Sequence, residues 1–277
     1  MPTTLAPTLT LANGVELPQL GLGTWPMNDA EAASAVTTAL ELGYRLIDTA
    51  ENYANERGVG LGIRNASIPR EQIFVTTKFN RKWHSFDGAQ AACEASLERL
   101  GLAYIDLLLI HWPNPDQDRF VEAYLGLVQL LDRGLVRAIG TSNFKPAHLQ
   151  RLLDLGLVPH LNQIQLDPYH RRDELIALHN RHGIVTQSWR PLGCGNAMLA
   201  DPVITAIARE HRRTPAQIVL RWAVQQGFAA VAKSANPKRM AENLDIFDFS
   251  LTPDAMHALD QLQRDDPQML DADQFGH

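Results

Sequence analysis

The chain has 277 residues, 45% of them hydrophobic and 20% charged, with 31 acidic against 25 basic side chains and a formal net charge of −6. That composition fits a folded chain of one large domain or two ordinary ones, and its acidity argues against nucleic-acid binding, which needs a basic face. Two cysteines, Cys93 and Cys194, cannot build a disulfide framework and suggest a reducing compartment. The opening MPTTLAPTLT lacks the basic region and apolar core of a signal peptide. No apolar run approaches the roughly 18–20 residues that span a bilayer. The expected location is the cytoplasm.

In chain order, the first pattern is TLTLANGVELPQL, in which Asn13-Gly14 separates two short alternating runs and predicts a hairpin with a type I′ turn, placed to plug a barrel floor. Eight apolar runs follow as candidate strands: Gln19–Thr24, Arg45–Asp48, Ile73–Lys78, Ile105–His111, Val136–Ser142, Leu161–Leu166, Val185–Trp189 and Ala229–Ser234. Helical spacing falls between them, over Ala30–Leu42, Phe120–Leu131, Pro146–Leu155, Arg172–Arg181, Asp201–Glu210 and Thr214–Gln225, and beyond them over Thr252–Leu262. Pro146, and Thr214 followed by Pro215, mark helix starts. The segment from Arg264 to His277 is polar and predicted to be irregular.

Strands alternating with helices predict parallel βαβ units, and runs such as IDLLLIHW suit strands buried on both faces. Eight units in about 250 residues match a closed barrel. The rival doubly wound sheet wants G-x-G-x-x-G after its first strand. Here Gly21 and Gly23 have no third glycine after them. The expected fold is therefore an α/β (β/α)8 TIM barrel forming one domain over 1–277, with the N-terminal β-hairpin and extra helices after strand 7 and at the C-terminus.

In such a barrel the active site lies at the C-terminal strand ends. There the sequence places Asp48, Lys78, His111, Ser142-Asn143, Asn162 to Gln165, Trp189 and Lys233-Ser234, with Tyr53 just beyond strand 2. A phenol near pKa 10 is a poor acid at neutral pH. An ammonium beside it lowers that value, Lys78 can supply one, and a buried Lys78 needs a carboxylate such as Asp48. His111 can hold a substrate oxygen. The set Asp48, Tyr53, Lys78 and His111 suits carbonyl reduction, in which a proton goes to oxygen and a hydride from a cofactor goes to carbon. Lys233, Lys238 and Arg239 form a basic cluster at a helix start, a place that binds anions. His179 and His182 stand three apart on a helix with no third ligand, so no metal site is expected.

The segments LPQLGLGTW, GYRLIDTAENYANERGVG, FVTTKF, DLLLIHWP, GLVRAIGTSNF, NQIQLDPY, SWRPLG and VAKSANPKRMAENL, in that order, resemble the aldo-keto reductase family across nearly the whole chain, most of all bacterial members similar to 2,5-diketo-D-gluconate reductase. The resemblance implies a catalytic tetrad of Asp48, Tyr53, Lys78 and His111 with Tyr53 as proton donor. It implies NADPH/NADP+ held without a Rossmann motif. Ser142, Asn143 and Gln163 would hold the carboxamide and Trp189 would stack on the nicotinamide. Lys233, Ser234 and Arg239 would grip the 2′-phosphate, and Glu242 and Asn243 the adenine. Gly23, Thr24, Pro191 and Leu192 belong to the same implied cofactor surface. Trp25, His111 and Trp112, with Trp83 as a further aromatic, form the expected substrate wall.

Asn80, Asp167 and Arg190 depart from the common family residues, and the C-terminal tail, which in this family helps set substrate range, is short; together they leave the substrate undetermined by the resemblance. Cys93 is expected to be buried, and Cys194 lies in a loop near the cofactor surface. The implied activity is NADPH-dependent reduction of aldehydes and ketones to alcohols, on diketo-sugar acids or small aromatic and dicarbonyl compounds, by a monomer that needs no membrane or nucleic acid. The competing reading is a non-catalytic NADP(H)-binding regulatory or structural protein on the same barrel.

Overall fold

A computed structural model describes residues 5–193, 197–264 and 269–276. The chain opens with a hairpin, β1 (Thr8–Thr10) against β2 (Glu16–Pro18). Eight parallel strands then close into a barrel: β3 (Leu20–Gly23), β4 (Leu46–Asp48), β5 (Phe74–Phe79), β6 (Ile105–Ile110), β7 (Val136–Ser142), β8 (Leu161–Gln165), β9 (Val185–Trp189) and β10 (Ala229–Lys233), with β10 pairing back onto β3. The expected TIM barrel and its eight strands are present, with ends that differ by one residue at most.

Each connection carries helix. They are α1 (Asp29–Leu42), α2 (Glu56–Asn65), α3 (Phe86–Leu100), α4 (Phe120–Asp132), α5 (Pro146–Leu153) and α6 (Asp173–His182), then the pair α7 (Pro202–His211) and α8 (Pro215–Gln225) before β10, and α9 (Pro237–Leu244) and α10 (Pro253–Asp260) after it. The extra helices after strand 7 and at the end stand where the sequence puts them. None of the described helices is long and apolar enough to cross a membrane.

Alternation along β6 shows why continuous apolar strands are needed. Leu107 and Leu109 point into the barrel with Leu46, Phe74 and Leu161, while Leu108 and Ile110 pack outward under the helices. The hairpin seals the floor of this interior with Leu11 and Leu17, and Asn13 Nδ2 donates to the Arg137 carbonyl at 2.8 Å. The plug is as expected, but the turn is not type I′. Only Gly14 takes a positive φ, +82°, and Leu11 N bonds to Val15 O, so Ala12, Asn13 and Gly14 form a three-residue loop.

Helix α2 has no strong sequence signature because three of its ten residues are glycine, a poor helix former. The reason for them is spatial. A Cβ on Gly58 would stand 2.1 Å from the Asp29 carbonyl oxygen, and one on Gly60 would stand 1.9 Å from that of Leu100. The glycines let α2 lie against its neighbours, and this fixes the loop that carries Tyr53. By contrast α8 begins as its sequence advertises, with reciprocal capping by Thr214 and Gln217, and the structure shows the same device at α1 between Asn28 and Glu31.

Candidate active site

At the C-terminal mouth of the barrel lies a cavity of about 420 Å3. Its deepest polar group is an ion pair. Lys78, next to last on β5, puts Nζ 2.6 Å from Asp48 Oδ1 at the end of β4, and both side chains are almost fully excluded from solvent. Lys78 Nζ also donates to the Thr49 carbonyl at 2.9 Å and reaches the Tyr53 hydroxyl at 3.5 Å. The second carboxylate oxygen of Asp48 accepts from Gln163 Nε2 at 2.7 Å, so Asp48 is a hydrogen-bond acceptor on both sides. The buried charges are thus matched and hydrogen-bonded, which a buried pair requires.

Tyr53 reaches this pair from a single helical turn over Glu51–Tyr53. Asn55 holds the turn: it donates to the Thr24 and Met27 carbonyls and accepts from the Thr49 hydroxyl at 2.7 Å. Nothing in the sequence singles out Asn55, because its role depends on two carbonyls and a hydroxyl brought together only by the fold. His111 follows β6 directly, and its ring meets the Tyr53 ring edge-on with centroids 5.8 Å apart. Tyr53, His111 and Asp48 all line the cavity, with Lys78 just behind them.

The electrostatics correct one expectation. Burial is the largest influence on the Tyr53 phenol and pushes its pKa up. The Lys78 ammonium opposes this without reversing it. For Lys78, burial works against the charge, but Asp48 and Tyr53 carry its pKa above the ordinary value. The resting site therefore holds a neutral phenol beside an ammonium, instead of a phenol with a lowered pKa.

The cavity rim collects most of the other residues singled out in the sequence. Gly23, Thr24, Trp25, Trp112, Ser142, Asn143, Gln163, Trp189 and Lys233 all line it. Several of these polar groups are bonded to one another. Asn143, in a left-handed conformation at φ +64°, donates to the His111 carbonyl and to Ser142 Oγ, and its Oδ1 accepts from Trp189 Nε1 at 2.8 Å. Gln163 Nε2 is shared by Asp48 and Gln187, which leaves Oε1 as the end of that amide open to the cavity. Pro191 is buried and Leu192 half-buried directly after the β9 loop, and neither borders the cavity.

Trp83 stands apart from the cavity. Its indole N–H is held by the Glu51 carboxylate at 3.0 Å. Asn80 and Asp167 also lie off the lining; Asp167 is buried and pairs with His170 at 2.9 Å. Of the three departures only Arg190 borders the cavity. Cys93 is buried in the core, where burial pushes its thiol up to about 12. Cys194 lies outside the described residues.

The C-terminal tail, which the resemblance ties to substrate range, supplies a wall through residues that the sequence does not single out. Leu270 N bonds to Gln165 Oε1 at 3.0 Å, and Lys145 ion-pairs with Asp271 and Asp273. These contacts bring Phe275 edge-on to Trp112 at 4.7 Å, and both Leu270 and Phe275 line the cavity. The segment 269–276 is irregular, as predicted, but it is anchored on the mouth.

Next to the cavity, β10 leads into the N-terminus of α9. Lys233, Lys238 and Arg239 are exposed there, and none of them joins an ion pair among the described residues. Ser234 Oγ accepts from Asn236 N at 3.2 Å, Asn243 is buried and Glu242 half-buried. Unpaired cations around a helix N-terminus suit a phosphate group.

A closed barrel with this site defines a class, and comparison with known proteins agrees with it. The aldo/keto reductase family model matches residues 18–264. An aldo-keto reductase of Mycolicibacterium smegmatis is 46% identical over 249 residues, which cover 90% of each chain. Among solved structures, a mutant of Gox0644 in complex with NADPH is similar at 43% identity with a TM-score of 0.92, covering 97% of this chain and 98% of that one. A Bombyx mori aldo-keto reductase in complex with NADP is similar at 35% identity with a TM-score of 0.88, covering 94% of each chain. The chain belongs to the aldo/keto reductase family.

Proposed function

We propose that the protein reduces aldehydes and ketones to alcohols with NADPH, and that Tyr53 gives the proton. The observation that carries this reading is the Asp48–Lys78–Tyr53 chain of hydrogen bonds ending in a neutral phenol at the cavity wall. When bound, the nicotinamide supplies the hydride that no side chain can. The residues do the rest. Tyr53 and His111 together offer a carbonyl oxygen two hydrogen-bond donors, and the phenol proton passes to that oxygen as charge builds on it. Lys78 stabilises the phenolate left behind, and Asp48 keeps the ammonium in place.

For the cofactor, Ser142, Asn143 and Gln163 would hold the carboxamide, with the Gln163 Oε1 end free to accept. Trp189, its ring fixed by Asn143, would stack on the nicotinamide. Gly23, Thr24, Pro191 and Leu192 complete the surface. Lys233, Ser234 and Arg239 would grip the 2′-phosphate, with Glu242 and Asn243 near the adenine. Exchanging both Lys233 and Arg239 for Ala is expected to raise the NADPH Kd about 10- to 100-fold, since charge-assisted contacts of this kind are strong. The NADH Kd should move by no more than about 3-fold. A fluorescence titration of each cofactor measures both.

Trp25, Trp112 and Phe275 favour a carbonyl compound with some apolar surface. The Trp112–Phe275 contact implies that Phe275→Ala raises KM for an aromatic aldehyde roughly 2- to 12-fold, the equivalent of an aromatic pair worth about 0.5–1.5 kcal/mol. NADPH affinity should stay as it was. Steady-state kinetics beside the cofactor titration separate the two effects. The reading as a whole is tested by mixing the protein with NADPH and benzaldehyde, which should consume the cofactor and yield one benzyl alcohol per NADPH.

A further inference from the structure

Arg190 has no place in the account so far. It lines the cavity from the β9 end, next to Trp189. Its guanidinium carbon lies over the Trp25 ring at 5.3 Å and over the Trp189 ring at 5.4 Å. No carboxylate and no carbonyl accepts from its side chain among the described residues, although the chain carries a net charge of −6. The other charged groups on the lining are accounted for. Asp48 is neutralised by Lys78, and Lys233 is grouped with the cations of α9. Among the described residues Arg190 is thus a cation without a carboxylate partner, in a chamber otherwise walled mainly by rings and amides.

Its backbone adds a second observation. Arg190 sits at φ +52°, a left-handed conformation that glycine adopts more readily than a long side chain, though Arg172 and Arg212 take it as well. An arginine stands where glycine would be less strained, and its guanidinium lies over two indoles that line the cavity. A guanidinium held by ring faces keeps its N–H groups to donate, in the fork that matches a carboxylate. The guanidinium also stands close enough to the reacting end to act on the Tyr53 phenol, which it helps to draw down against burial.

We propose that Arg190 is a specificity-determining residue that binds the carboxylate of the substrate, so that the compounds reduced best are short oxo acids carrying an aldehyde or ketone within a few carbons of a carboxylate. This rests on the reading of the cavity as a carbonyl-reduction site. Trp25 and Trp189 hold the guanidinium in place, and the carboxylate on Arg190 turns the carbonyl toward Tyr53 and His111.

The test uses wild type, Arg190→Gln and Arg190→Lys with NADPH. The substrates are phenylglyoxylate and 4-oxobutanoate, each beside its methyl ester, which keeps the carbonyl and removes the charge. The wild type should prefer at least one acid over its ester. Arg190→Gln should lower kcat/KM for that acid about 10- to 100-fold, chiefly through KM, and change the ester less than about 3-fold. Arg190→Lys should recover part of the loss, because it restores the charge without the fork. In parallel, calorimetry of benzoate and of benzamide added to the NADPH-bound protein reads binding without turnover. Benzoate affinity should fall about 10-fold or more in Arg190→Gln while benzamide is unaffected. Equal losses on acids and esters, a wild type indifferent to the carboxylate, or a loss traced to a raised NADPH Kd would each overturn the proposal, the last by assigning Arg190 to the cofactor. If the protein reduced neither acids nor neutral aldehydes, the carbonyl-reduction reading would fail, and the calorimetry would still decide whether Arg190 binds carboxylates.

Discussion

Tyr53→Phe is expected to lower kcat for aldehyde reduction by about 10²- to 10⁴-fold, the range that a positioned general acid contributes. The ring stays, so its edge-on contact with His111 and its place over the Lys78 ammonium stay as well. Only the hydroxyl that faces Lys78 Nζ is lost. The NADPH Kd should remain within about 2-fold, and so should the melting temperature within a few degrees. The pH dependence follows from the raised phenol. A group that must be protonated to act, with a pKa above the ordinary 10.0, keeps its proton through the neutral range. Tyr53 therefore imposes no loss of reduction rate between about pH 6 and 9, and its loss comes only in strong alkali. In the oxidation direction the site must take a proton, so that rate should climb with pH over the same interval. Stopped-flow single turnovers of NADPH and NADP+ across pH measure both limbs.

Lys78→Met should be the most destabilising single change at the site. It removes one member of a buried pair and leaves Asp48 facing only the Gln163 amide. An uncompensated buried charge of this kind costs about 3–5 kcal/mol. In a chain of this size that corresponds to a fall of roughly 6–15 °C in Tm. The double variant Asp48→Asn with Lys78→Met removes both charges and should regain most of the stability, because the two residues are directly coupled. Neither variant should regain activity, since the phenolate of Tyr53 would have no cation beside it. Thermal melts and kinetics on the two singles and the double give the cycle. A double variant as unstable as Lys78→Met would mean that the pair is not the unit described.

The barrel was legible because its strands are buried on both faces, and such strands must be apolar runs with sharp polar ends. The same feature exposed Asp48, Lys78 and His111, since a charged or imidazole side chain that ends an apolar run stands out. The Thr214-Pro215 start signal placed α8 for an equally local reason. Helix α2 stayed hidden because its glycines answer to Asp29 and Leu100, residues distant in sequence. The hairpin turn was misjudged because Asn13-Gly14 is compatible with more than one loop, and the Leu11–Val15 register selects the three-residue form.

Within the site, what the sequence withheld was relative weight and distance. That Lys78 would act on Tyr53 was readable, but not that burial outweighs it. Trp83 looked like a wall residue and instead serves Glu51, while Phe275, far along the chain, became one through the anchoring of 269–276. Arg190 was visible as an oddity beside Trp189. Its meaning depends on Trp25, which the closure of β3 against β10 brings near.

The most direct measurement of the central claim supplies NADPH dideuterated at nicotinamide C4 to the wild-type protein with benzaldehyde and analyses the alcohol by mass and NMR. The account predicts one deuterium on the carbinol carbon for every NADPH consumed, with the same transfer all but lost in Tyr53→Phe. Binding of NADPH by both proteins with no deuterium reaching any aldehyde or oxo acid offered would contradict it and leave a cofactor site without this chemistry.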